Sequence, residues 1–208
     1  KESYTSNDVI HIADFNEMQQ HKITLQNDWN TWKFSANHIT DVCFGVSKNY
    51  VWDATSVIVD SKDKRRASIQ VAYNDTAKDF HNCAKWAQHS LEYFSTKWPG
   101  VSYPYPKMTA FQGHADMEYP MMVNDATTND FRESQMLQDH EISHTYFPFY
   151  MGINETRYAY MDEGWATTFE YMASEDEFGK AYADSTFRSS RIRSYIQAPS
   201  TDARPRDV

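Results

Sequence analysis

Three side chains in this sequence have the types and spacing to hold one metal ion. His140 and His144 lie in the run His140-Glu141-Ile142-Ser143-His144, and Glu163 follows in Asp162-Glu163-Gly164-Trp165-Ala166. An α-helix turns once in about 3.6 residues, so two histidines four positions apart project from one face, a turn apart. Imidazoles at that spacing can share a zinc ion. A hydrolytic zinc site takes a third protein ligand and keeps a fourth position for water, and Glu163 is the candidate for that third place. Glu141 is turned by roughly 100° from His140. It cannot share the ligand face, but it can reach the water. A carboxylate base acting on water beside a Lewis acid is the chemistry of hydrolysis.

Those residues need two helices. Asn129 or Asp130 can cap the first, and the stretch Phe147-Pro148-Phe149-Tyr150-Met151-Gly152 can end it, because proline lacks a donor and glycine permits the turn. Met161 to Ala173 reads as the second helix. Glu163 falls in its first turn, where a carboxylate suits the positive helix end. Glu170 lies seven residues farther along the same face and is a candidate acceptor that orients a zinc histidine. A further amphipathic helix is expected over 177–197, with Phe178, Tyr182, Phe187, Ile192 and Tyr195 as its apolar side. Arg188, Arg191 and Arg193 are expected in solvent, and the polar tail to Val208 is expected to be loose.

Upstream, alternation of apolar and polar residues predicts strands at 31–35, 42–46, 50–52, 57–59 and 68–73. The charged run 60–66 reads as a solvated hairpin tip. Thr76 or Asp75 is the expected cap of a helix that buries Phe80, Ala84, Ala87, Leu91 and Phe94. Its histidines, His81 and His89, read as packing or surface residues. Trp98-Pro99-Gly100 stops that helix, and Met108 to Phe111 is the next strand. The following Met117-Glu118-Tyr119-Pro120 favours a sheet edge, since Pro120 cannot donate to a ladder. Such an edge can pair with the backbone of a peptide. His114 and Asp116 are expected to line the groove entrance.

With these residues in view, the chain resembles the gluzincin peptidases, and within them the M1 aminopeptidases. The resemblance rests on the histidine pair with Glu141, the 18 residues between His144 and Glu163, and Glu163-Gly164-Trp165-Ala166, where the family usually has Glu-Gly-Phe-Ala. Gly113 to Pro120 resembles the family's Gly-Ala-Met-Glu-Asn strand, with Asp116 in place of Ala and Tyr119 in place of Asn; the Met-Glu-Tyr-Pro form looks like a bacterial branch. The resemblance implies an α+β fold: a thermolysin-like catalytic subdomain of mixed sheet and zinc helices, preceded by the end of an all-β domain. The expected boundaries are 1–66 for the all-β part and 67–208 for the first part of the catalytic domain. It also implies one Zn²⁺ held by His140, His144 and Glu163, with Glu141 as general base. Met117 and Glu118 would contact the substrate, with Glu118 on its free α-amine, so that residues are removed from the N-terminus. In that family a tyrosine stabilises the oxyanion. Its place lies farther beyond Glu163 than the sequence extends, so the expectation is a fragment of low or no activity; losing such a donor costs about 10²–10³ in rate.

A formal charge of −9 and a pI near 5.3 argue against nucleic acid or an anionic membrane surface as partner. No apolar run is long enough to span a bilayer, and the sequence fixes no compartment: periplasmic, secreted and cytoplasmic locations all stay open. Cys43 and Cys83 are the only cysteines and are read as free core thiols, with a pairing left open. Two other functions stand beside the aminopeptidase: a thermolysin-like endopeptidase, and a zinc-containing peptide-binding module without catalysis.

Overall fold

A computed structural model describes residues 5–14, 16 and 29–193. Among the described residues the fold is mixed α+β, with one six-stranded sheet and four α-helices. The strands are β1 (Ile10–Ala13), β2 (Tyr50–Ile58), β3 (Arg66–Asn74), β4 (Lys107–Phe111), β5 (Met117–Tyr119) and β6 (Met122–Asn124), in the sheet order β1-β2-β3-β4-β6-β5. The helices are α1 (Phe80–Thr96), α2 (Phe131–Ser143), α3 (Ala159–Phe178) and α4 (Lys180–Phe187).

β2 and β3 form an antiparallel hairpin in unbroken register from Tyr50↔Asn74 to Ile58↔Arg66. β3 is then parallel to β4, and α1 makes the crossover that parallel neighbours require. Ala67, Ile69, Val71 and Tyr73 alternate along β3 and enter one core with Phe80, Ala84, Leu91 and Phe94 of α1. Fully burying a Leu or Phe side chain is worth about 1.5–3 kcal/mol, so this strand–helix pair anchors the domain. The turn after α1 closes as its sequence predicts: Gly100 has φ 73° and donates to the Phe94 carbonyl at 3.1 Å.

Several expectations need correction. The strands predicted at 31–35 and 42–46 do not form; among the described residues, 29–49 carries no strand. Trp32, Phe34, Val42, Phe44 and Val46 are exposed there, Phe34 to 87%. Alternation makes a strand only where a second strand offers a ladder, and none pairs with this segment. A preceding all-β domain is therefore not seen among the described residues, and the expected boundary at 66/67 falls inside the β2–β3 hairpin. The predicted strands 50–52 and 57–59 are parts of one strand, β2. Neither Thr76 nor Asp75 caps α1. The helix starts after Asp79, whose carboxylate instead accepts from Thr127 Oγ1 (2.5 Å), Thr128 N (2.9 Å) and Ser134 Oγ (2.7 Å). That carboxylate ties the start of α1 to the start of α2. The hairpin tip is not wholly solvated, because Arg65 Nη2 donates to the Tyr103 carbonyl at 2.5 Å.

The helix expected over 177–197 is broken at Gly179, which has φ 84°, a backbone state that disfavours other residues. α4 follows, and then a short π-helical turn, Arg188–Arg193. The expectations for Tyr195 and the tail lie outside the described residues. Cys83 is buried, Cys43 is half-buried, and both are free. No helix of the described residues is long and apolar enough to cross a membrane.

Candidate metal centre

The first site helix is well founded in its sequence. Asp130 is the cap of α2: its Oδ1 accepts from Arg132 N at 2.9 Å and from Glu133 N at 3.4 Å. α2 is buried on more than one side, with Met136 and His140 on one and Gln138 and Ile142 on another, and it lies against α1, β5, β6 and α3. His144 sits at the helix end, followed by the irregular turn Thr145–Tyr150, where Phe147 is extended (φ −133°, ψ 111°). Phe147 stacks on Trp165 of α3 with ring centroids 5.1 Å apart. That contact, with Phe169 behind it, holds the start of α3 against the end of α2.

The two imidazoles face each other edge to face, with centroids 5.0 Å apart. Glu163 Oε2 lies 3.2 Å from His140 Nε2 and 3.9 Å from His144 Nε2. Nitrogen and oxygen atoms of the three residues come within 4.8 Å of one another. The other ring nitrogens are engaged from behind: His140 Nδ1 lies 2.9 Å from Glu170 Oε2, and His144 Nδ1 lies 2.6 Å from Asp162 Oδ1. A carboxylate on Nδ1 fixes the ring and leaves Nε2 as the ligand atom. Both Nε2 atoms here turn toward Glu163. The donor set of two imidazoles and one carboxylate, each ring braced by a further carboxylate, fits zinc.

The electrostatics follow from burial set against close partners. Burial alone would lower the His140 imidazole, but bonds to Glu163 and Glu170 outweigh it and lift the pKa to about 9. His144 is raised in the same way, burial being overcome by Asp162 and then Glu118. The His140 bond holds the Glu163 carboxyl below its ordinary range. Glu141 is buried, and burial lifts it to about 7 against the pull of His140 and His144. Its Oε2 has no hydrogen-bond partner among the described residues, which leaves that lone pair free to act on a proton.

Glu118 on β5 is buried. Its Oε1 lies 3.9 Å from His144 Nδ1, and it forms a second close group with Glu141 and His144. Burial pushes its carboxyl up, and His144 pulls it back only in part. Met117 is partly exposed beside it, on a strand at the end of the sheet, with Pro120 in the turn to β6. His114 and Asp116 do not join the cluster. Asp116 has φ 47° and accepts from Ala126 N at 2.7 Å. His81 bonds the Asp75 carbonyl, and His89 pairs with Glu177 and Asp176, both away from the site.

Three residues escaped the sequence reading. Asp162 bears on His144, but nothing in its position beside Glu163 distinguishes it from a surface acid. Asp125 is fully buried with no hydrogen bond to either oxygen among the described residues; burial, then Glu141 and Asp116, push its pKa well up. Arg191 was expected in solvent and instead reaches Glu170 at 2.5 Å.

No family model matches the chain, and no curated protein matches it. Among solved structures, a mutant form of an M1 zinc metallopeptidase from Deinococcus radiodurans is similar at 13% identity and a TM-score of 0.49, covering 68% of this chain and 33% of that one. The M1 zinc metallopeptidase from the same organism is similar at 13% identity and a TM-score of 0.45, covering 68% and 32%. The chain thus spans about one third of the length of these structures. The functional reading rests on the residues of the site itself.

Proposed function

We propose that this chain carries the active site of a zinc metallopeptidase that removes N-terminal residues from peptides, in the manner of the M1 aminopeptidases. The observation that carries the reading is the convergence of His140 Nε2, His144 Nε2 and Glu163 Oε2, with both Nδ1 atoms braced by carboxylates. Bound zinc supplies Lewis-acid polarisation of the scissile carbonyl and a more acidic water. The protein supplies the rest. Glu141 takes the proton of the attacking water on its unpartnered Oε2 and delivers it to the leaving amine. A base with a pKa of about 7 can both accept and return a proton near neutral pH.

Glu118 receives the α-ammonium of the substrate. Its buried carboxylate lies in the same group as Glu141 and His144, so a bound amine sits beside the reacting centre and the first peptide bond falls on the base. The free side of β5, at the end of the sheet, offers backbone groups to an extended peptide, and Met117 contributes apolar contact there.

The test is hydrolysis of a panel of aminoacyl fluorogenic substrates by the zinc-loaded full-length protein that carries this chain, with N-acetylated peptides and Glu141→Gln alongside. The expected result is cleavage of free-amine substrates only, reduced about 10²–10⁴-fold in Glu141→Gln. Undiminished turnover in that variant overturns the general-base role. Equal cleavage of acetylated peptides replaces the aminopeptidase with an endopeptidase. Peptide binding with zinc but no cleavage replaces it with a binding module.

A further inference from the structure

Glu170 is the acceptor for His140, and it is itself held from the other side. Its Oε2 lies 2.9 Å from His140 Nδ1 and 2.5 Å from Arg191 Nη2. Arg191 comes from the short turn Arg188–Arg193, reached only because the chain reverses at Gly179 after α3. Glu170 is buried, whereas the Arg191 side chain is 42% exposed. The guanidinium therefore closes the Glu170 side of the site while keeping part of itself in water.

The chemistry gives this contact a consequence. A carboxylate aims an imidazole only while it is itself held in place, and the charged guanidinium of Arg191 fixes the Glu170 oxygen that faces His140 Nδ1. Among the described residues, no lysine and no other arginine forms an ion pair with Glu118, Glu141, Asp162, Glu163 or Glu170.

We infer that Arg191 is a positioning residue of the metal centre: by clamping Glu170 it fixes the His140 ring, and so sets how tightly the chain holds zinc. The inference rests on the zinc reading above and deepens it. It places the grip on the metal partly in a segment outside the two site helices.

The experiment is Zn²⁺ titration of the full chain against a chromophoric chelator, for wild type, Arg191→Ala, Arg191→Lys, Glu170→Ala and the double alanine variant. Arg191→Ala is expected to weaken zinc binding by about 10-fold. Arg191→Lys, which keeps the charge without the planar fork, recovers most of that loss. The double variant binds no more weakly than Glu170→Ala, because Arg191 acts only through Glu170. Melting of the metal-free variants is followed in parallel; a merely structural role lowers it in Arg191→Ala and is not relieved by lysine. Wild-type affinity in Arg191→Ala, or losses that multiply in the double variant, overturns the inference alone. A wild-type chain that takes up no Zn²⁺ overturns the zinc reading and this inference together.

Discussion

In the metal-free protein, stability and metal affinity should move in opposite directions with pH, and His140 sets the window. Its pKa is lifted from 6.5 to about 9 because its proton-bearing nitrogens face Glu163 and Glu170. A folded-state pKa raised above the unfolded value contributes stability that is fully present below pH 6.5 and is lost as pH rises through about 9. At 1.36 kcal/mol per pKa unit the contribution is roughly 3 kcal/mol, before discounting for the solvent around Glu163, whose side chain is 60% exposed. Zinc needs the same Nε2 that carries the proton, so binding must release it. Between pH 7 and 9 the apparent dissociation constant should therefore fall about 10-fold per pH unit, and level off above. His144, also raised, steepens the slope. The assay is chelator competition at half-unit pH steps, with thermal melts of the metal-free chain on the same buffers. The metal-free melting temperature should decline over the range in which zinc binding tightens. A dissociation constant that stays flat from pH 7 to 9 would refute the account of His140 as a proton-loaded ligand.

Two further outcomes follow from single contacts. Asp162→Ala removes the carboxylate 2.6 Å from His144 Nδ1 and should weaken zinc binding by about 10–100-fold with the fold intact, as read by chelator competition and circular dichroism; unchanged affinity would show that His144 is oriented by the Phe147 carbonyl 3.0 Å away instead. Asp130→Ala removes the cap of α2 and should cost about 1 kcal/mol in urea unfolding of the metal-free chain, a loss that Asp130→Ser should largely restore.

The parts of the fold legible in the sequence are those where periodicity and packing agree. Phe80, Ala84, Ala87, Leu91 and Phe94 are one helix face, and all are buried against β3. A cap at Asn129 or Asp130 and the four-residue histidine spacing locate α2 and the face that carries its histidines without any tertiary information, and Asp130 is the cap. The segment 29–49 failed for the reason strands usually fail: its alternation is local, but a ladder is not, and among the described residues no strand pairs with it. The long helix expected over 177–197 failed because glycine inside an apolar pattern can be tolerated or can be a break, and Gly179 is a break. From that break follows the largest miss in the site. Arg191 reads as one of three arginines on a solvated face; only the reversal at Gly179 shows which of them meets Glu170. That Glu170 shares a helix face with Glu163 follows from their seven-residue spacing, and the structure puts Glu170 2.9 Å from His140 Nδ1. Asp162 was not, since what matters about it is the ring it touches rather than its spacing.

The charge balance around the two imidazoles connects the metal to the substrate. Glu118, Glu141, Asp162, Glu163 and Glu170 all bear on His140 or His144, directly or through their charge, and Arg191 is the one basic side chain paired with them among the described residues. Without a further cation the site meets its excess negative charge by holding protons: on His140 up to about pH 9 and on Glu141 up to about pH 7. In the proposed zinc site, the metal would exchange for the protons on the ring nitrogens and offset the charge of the carboxylates on α2 and α3. Glu118 comes from β5, within 3.9 Å of His144 Nδ1, and its carboxyl is pushed up by its own burial. In the proposed reaction the ammonium of the peptide meets that carboxyl. In that reading the Glu118 carboxylate pairs with the free amine, so binding of the substrate's terminus also completes the charge balance of the site.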